Sequence, residues 1–224
     1  MNEQTESRKH LEKVGALLAN VSYYYYNLEY LIRGTSEQEK MVVNSYPILK
    51  NVRLTLWSLI VLDLHKILSK SSNDKFRIVK LVNYLIEYHG KIKWDHAIGV
   101  SELNILKANL AIAQPKVEKI KEIRDTQIAH YDDINLNYRL ELQELADLVA
   151  LCQKSYNTIS YALNNSTTSW QYSDSENFNP LVENLSKYSD LKHLFYKNLS
   201  ERNENIELFE LGKIIRPAAN RVDG

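Results

Sequence analysis

Apolar residues recur at intervals of three and four along most of the chain. Leu11, Val14, Leu17, Leu18, Val21, Tyr25, Leu28, Leu31 and Ile32 follow this spacing up to Arg33, and Gly34 supplies a stop. They predict a first amphipathic helix. Ser36 followed by Glu39 is a capping box that opens a second helical stretch to about Lys70, with a kink or break expected at Pro47. The part after Pro47 (Val52, Leu56, Trp57, Leu59, Ile60, Leu64, Ile67 and Leu68) is apolar nearly all round, which marks a central helix. Asp63, His65 and Lys66 interrupt it, and His65 reads as a hydrogen-bonded core or boundary residue.

Ser71 to Asp74 forms a turn, and the spacing predicts a helix over 75–88 closed by His89-Gly90. A loop carrying Trp94 and His96 follows. The next helix starts at Ser101 and stops before Pro115, and another runs from Lys116 to about His130. Asp132-Asp133 breaks the chain, and Leu140, Leu145, Leu148, Cys152, Ile159 and Leu163 belong to a long helix over about 136–164. The Ser, Thr and Asn-rich stretch after it reads as a linker or surface loop. Asn179-Pro180 then caps a further helix to about Leu199, with a short one near 206–215. Tyr23 to Tyr26 cover the whole circumference of the first helix, so two tyrosines should pack inward.

Composition agrees with an all-α chain. Only 6 Gly and 4 Pro occur in 224 residues. Lys plus Arg balance Asp plus Glu at 28 each, which argues against a large non-specific nucleic-acid binder but leaves room for a local basic patch. One cysteine, Cys152, excludes an internal disulfide and suits a reducing compartment. The first ten residues are polar, and the longest apolar run is far short of the roughly 20 residues of a membrane span. A cytoplasmic protein with no membrane partner is expected.

Chemistry concentrates in Lys121-Glu-Ile-Arg-Asp-Thr-Gln-Ile-Ala-His-Tyr-Asp-Asp133, where Arg124, Asp125, Gln127 and His130 crowd a few apolar positions. On an ideal helix Arg124 and His130 lie about 120° apart around the axis and roughly 9 Å along it. They can serve one site if the helix distorts at its end, or if two copies meet at a two-fold axis. The plain alternative pairs Arg124 with Asp125 or Asp132 and leaves His130 at the helix C-terminus, a favourable place for a cation.

Arg, a polar residue, several further positions and then His near a helix end resembles the motif of HEPN domains. The wording IRDTQIAHYDD is most similar to their abortive-infection, AbiU2-like branch. The order of a long central helix, motif helix, turn at the His and long following helix extends the resemblance over about 46–163. It implies an HEPN-like antiparallel helical bundle, here over 1–165. The chain's own pattern adds a polar linker at 166–178 and a C-terminal helical extension at 179–216 packed on the bundle, a region that the motif does not explain.

It also implies metal-independent ribonuclease activity at a homodimer interface, with no cofactor and no metal, in antiviral defence or toxin-antitoxin growth arrest. A histidine can move a proton to or from a hydroxyl near neutral pH, and a guanidinium can hold a phosphate and the charge that develops on it. By position, His130 becomes the general acid or base, Arg124 the phosphate clamp and Asp125 the orienter of the arginine. Lys116, Lys119, Lys121, Gln127 and Tyr131 are the expected RNA contacts, the lysines reading equally as a solvated face. An antitoxin or regulatory protein is a possible further partner. In HEPN toxins controlled by a nucleotidyltransferase antitoxin a Tyr stands two places after the His. Here that place is Asp132, so control through such a tyrosine is not expected. The alternative is an inactive HEPN-like module that binds RNA, a nucleotide or a protein. No His-x-x-x-His spacing, glycine-rich phosphate loop or nucleophile elbow points to other chemistry.

Overall fold

A computed structural model describes residues 2–34, 36–70, 75–128, 140–172 and 178–202. They form eight α-helices: α1 (Glu3–Arg33), α2 (Glu37–Ser45), α3 (Pro47–Leu68), α4 (Ile78–Glu87), α5 (Val100–Ile112), α6 (Gln114–Ile123), α7 (Leu142–Asn164) and α8 (Asn179–Arg202). There is no strand among the described residues, and the chain is an all-α antiparallel bundle.

Local chemistry sets the element ends. The Asn2 side chain accepts from Gln4 N–H, so α1 starts well before its apolar stripe. Ser36 Oγ accepts from Glu39 N–H at the start of α2. The break at Pro47 falls where the sequence places it, with α2 ending at Ser45 and Pro47 taking the first turn of α3. Proline plays the same part between α5 and α6.

α1 is the axis of the bundle. Its buried face of Leu11, Val14, Leu18, Val21, Leu28 and Leu31 lies against α3 on one side and α7 on the other. Cross-links from Arg8 to Leu163, Gly15 to Tyr156 and Ser22 to Gln153 show that α1 and α7 run in opposite directions. α3 buries only Leu49 and Leu56 in its first half, where Ile48 and Leu54 are exposed, and is buried on most sides from Ile60 to Leu68. α6 packs on it through Val117, Ile120 and Ile123. Burial pushes the Cys152 thiol of α7 up to about 12, so it behaves as an apolar side chain.

Tyr24 and Tyr25 pack against the core, whereas Tyr23 and Tyr26 meet Tyr172. The segment carrying Tyr172 lies across α1 and α7. Asn157 makes paired hydrogen bonds with the backbone of Thr168, Trp170 sits edge-on to Tyr156, and Tyr172 Oη donates to Ala19 C=O. α8 packs on α2, and Tyr30 Oη donates to Asn179 Oδ1 at its start. No helix among the described residues is long and apolar enough to cross a membrane.

Candidate functional site

α6 carries the motif arginine to the end of α3. Its apolar stripe faces α3, and at Ile123 the regular helix stops. Arg124 to Ile128 continue as one π-helical turn, so the helix expected from Lys116 to about His130 changes form at the arginine, and its last expected residues lie outside the described ones. Thr126 Oγ1 donates back to Glu122 C=O at 2.8 Å within this turn. π turns inside helices are rare and occur frequently at functional sites. The distortion begins at the arginine itself.

The Arg124 guanidinium is held from two sides. Nε donates to Asp125 Oδ1 at 2.7 Å, and Nη2 donates to the same oxygen. Nη1 lies 2.8 Å from Nδ1 and 3.2 Å from Nε2 of His65 on α3. Among the described residues this leaves a second N–H on each terminal nitrogen for an incoming ligand. Arg124 is 30% exposed and Asp125 46%, so the pair is open to solvent, whereas His65 is only 4% exposed.

These groups border a cleft of about 230 Å³ between α3 and α6, lined by His65, Ser69, Lys70, Glu118, Lys121 and Arg124, with Val117 beneath. Its size is below that of typical drug-sized pockets and suits a phosphate group or part of a nucleotide. Three of its side chains are cationic and one is acidic, which favours an anion.

The basic residues of α6 divide between two faces, with Lys121 about 140° from Lys116 and about 160° from Lys119 around the axis. Lys121 shares the cleft with Arg124. Lys116 and Lys119 point to α7, where they pair with Asp147 at 2.7 Å and Glu144 at 2.8 Å. The hydrogen bond from Lys119, reinforced by the Glu141 N–H, holds the Glu144 carboxyl below its usual range, and Lys116 does the same for Asp147. Gln127 lies in the π turn. His130 and Tyr131, together with Asp132, lie outside the described residues. Among the described residues no three His, Cys, Asp or Glu side chains gather as a metal site.

Sequence reasoning gave His65 no part in this site. The available signal was a polar group inside an otherwise apolar helix, since a buried imidazole needs a hydrogen-bond partner.

The match to a family model decides the relationship. The AbiU2 model of the HEPN group matches residues 4–179, well over half of the chain. The chain belongs to the AbiU2 family of HEPN domains. It is therefore an HEPN domain of the abortive-infection kind. No curated protein and no solved structure matches it. The AbiU2 match takes in α1 to α7 and ends at the first residue of α8.

Proposed function

We propose that this AbiU2-family protein is a metal-independent ribonuclease of bacterial antiviral defence or growth arrest, cleaving RNA through Arg124 and His130 at a homodimer interface. The observation that carries this reading is the guanidinium of Arg124, held by Asp125 and His65 at a small cationic cleft, with N–H groups still unused among the described residues. In the reaction, the 2′-hydroxyl of the RNA attacks the adjacent phosphorus and the P–O5′ bond breaks. The proton leaves O2′ and one is delivered to O5′, so the step balances without metal. His130 moves one of these protons, and in a symmetric dimer the partner's His130 moves the other. Arg124 stabilises charge on the phosphate oxygens, and Asp125 orients it. Lys121 draws the strand in, with Gln127 and Tyr131 as further contacts. Residues 1–165 form the catalytic bundle in this reading, and 179–216 an extension that suits an antitoxin or other regulatory protein.

The test is cleavage of mixed tRNA and mRNA in excess EDTA by wild type, His130→Ala and Arg124→Ala, with dimerisation followed by light scattering. Loss of cleavage in both variants with the dimer retained is the expected result. No cleavage by wild type at high concentration, or equal cleavage by all three proteins, would overturn it. RNA binding without turnover would leave a binding module in its place.

A further inference from the structure

We propose that Glu118 is a specificity-determining residue. The cleft between α3 and α6 holds one guanine nucleotide of single-stranded RNA, with its phosphate at Arg124 and its base edge at Glu118. The effect on cleavage rests on the ribonuclease reading above; the base preference in binding does not.

Glu118, Lys121 and Arg124 line the cleft together. They stand three residues apart on α6 and the turn that continues it. They therefore form one row, with Glu118 roughly 9 Å from Arg124 along the axis. That is close to the reach of a nucleotide from its phosphate to its base edge. Val117, the chain neighbour of Glu118, is buried beneath the cleft and gives an apolar floor on which a base can lie.

A ligand that was only a phosphate would leave Glu118 out of place. A carboxylate among Lys70, Lys121 and Arg124 repels the anion that they attract. Nor is it there to neutralise them. Among the described residues Glu118 makes no ion pair or hydrogen bond, either with Lys121 on its own helix or with Lys70 beyond the end of α3. A carboxylate only accepts hydrogen bonds, so the part of the ligand that meets it must donate. Guanine alone among the RNA bases presents two adjacent donors, N1–H and N2–H, on its Watson–Crick edge, and they match the two carboxylate oxygens. Adenine, cytosine and uracil each set an acceptor beside their donor. A single strand leaves that edge free to be read.

The experiment measures binding of fluorescent uridine-rich pentamers with one central guanosine, inosine or adenosine. The proteins are His130→Ala alone and combined with Glu118→Ala or Glu118→Gln. Glu118 is exposed, so these substitutions leave the core untouched. Cleavage of the same pentamers in EDTA is followed with His130 intact. With Glu118 present, the guanosine pentamer should bind about 10-fold tighter than the adenosine one, the scale of a single bidentate contact. Inosine, which lacks the N2 amine, should fall between them. Glu118→Ala should erase the preference and bind the adenosine pentamer more tightly, because a repelling charge is gone. Glu118→Gln, whose amide complements the adenine edge, should turn the preference towards adenosine. No binding of any pentamer, binding without base preference, or a preference that survives Glu118→Ala would overturn the proposal. Displacement by guanosine 5′-monophosphate as readily as by the guanosine pentamer would give the cleft to a free nucleotide and overturn its assignment to RNA. Cleavage that depends on His130 but ignores the base would sink this inference and leave the ribonuclease standing. A Glu118-dependent preference for guanosine in a protein that cleaves nothing would do the reverse.

Discussion

Lys119 of α6 and Glu144 of α7 face each other at 2.8 Å, and Lys116 and Asp147 repeat the arrangement at 2.7 Å. These lysines already have carboxylate partners on the side of α6 away from the cleft. Lys121 and Lys70 line the cleft instead. In a His130→Ala background, RNA binding measured across salt concentrations should therefore divide the four. Lys121→Ala and Lys70→Ala should each reduce the salt slope by about one. Lys116→Ala and Lys119→Ala should change it far less. An equal loss at all four would mean that the RNA covers both faces of α6.

Gly15 lies beneath the ring of Tyr156. A Cβ there would fall 2.6 Å from Tyr156 Oη and 2.8 Å from Cε2, and the ring's own retreat is limited by Trp170, edge-on at 5.4 Å. Alanine favours a helix interior over glycine by about 1 kcal/mol, whereas forcing atoms into a packed contact costs about 1–3 kcal/mol. The second effect wins, so Gly15→Ala should lose up to about 2 kcal/mol. It should appear as a lower urea midpoint at unchanged slope. A higher midpoint would show that the ring yields freely.

His10 should make stability fall on mild acidification. Burial holds its imidazole below the usual histidine range, against the pull of its hydrogen bond to the Arg77 carbonyl; Lys80 and Arg77 add to the lowering and Glu6 opposes it. Between the folded value and the ordinary 6.5, the unfolded chain binds more protons than the folded one. The contribution is thus complete above about 6.5 and is lost as pH falls through the folded value. The urea midpoint of wild type should drop between pH 7 and pH 5, and His10→Gln should flatten that drop. Parallel curves for the two proteins would assign the change to other groups.

Most of the fold could be read before the structure because each helix announces itself locally. The stripe of α1, the Ser36–Glu39 cap and the break at Pro47 are all decided within a few residues. Boundaries set by polar residues were less legible. Glu3 to His10 carry no apolar residue, yet they are helical under the Asn2 cap, and α4 starts at Ile78 rather than at Lys75. The pairing of Arg124 with Asp125 was readable because the two are adjacent. The pairing with His65 was not, because it joins α3 to the end of α6 and leaves no local pattern. The π turn was hidden for a similar reason, since helical spacing continues through it with only a change of pitch.

The split faces of α6 separate two quantities that stability measurements merge. Its apolar stripe is only three side chains, Val117, Ile120 and Ile123, a narrow seat on which a short helix can roll. On one flank it is tied to α7 by two lysine–carboxylate pairs, on the other to α3 through Arg124 and His65. Exposed ion pairs of this kind contribute little net stability, so they hardly change how much of the protein is folded. A roll of about 10°, however, moves a group roughly 6 Å from the axis by about 1 Å. The lysines that face away from the cleft thus act as stays on a mast: they add little strength to the hull, but they set the direction in which the arginine points.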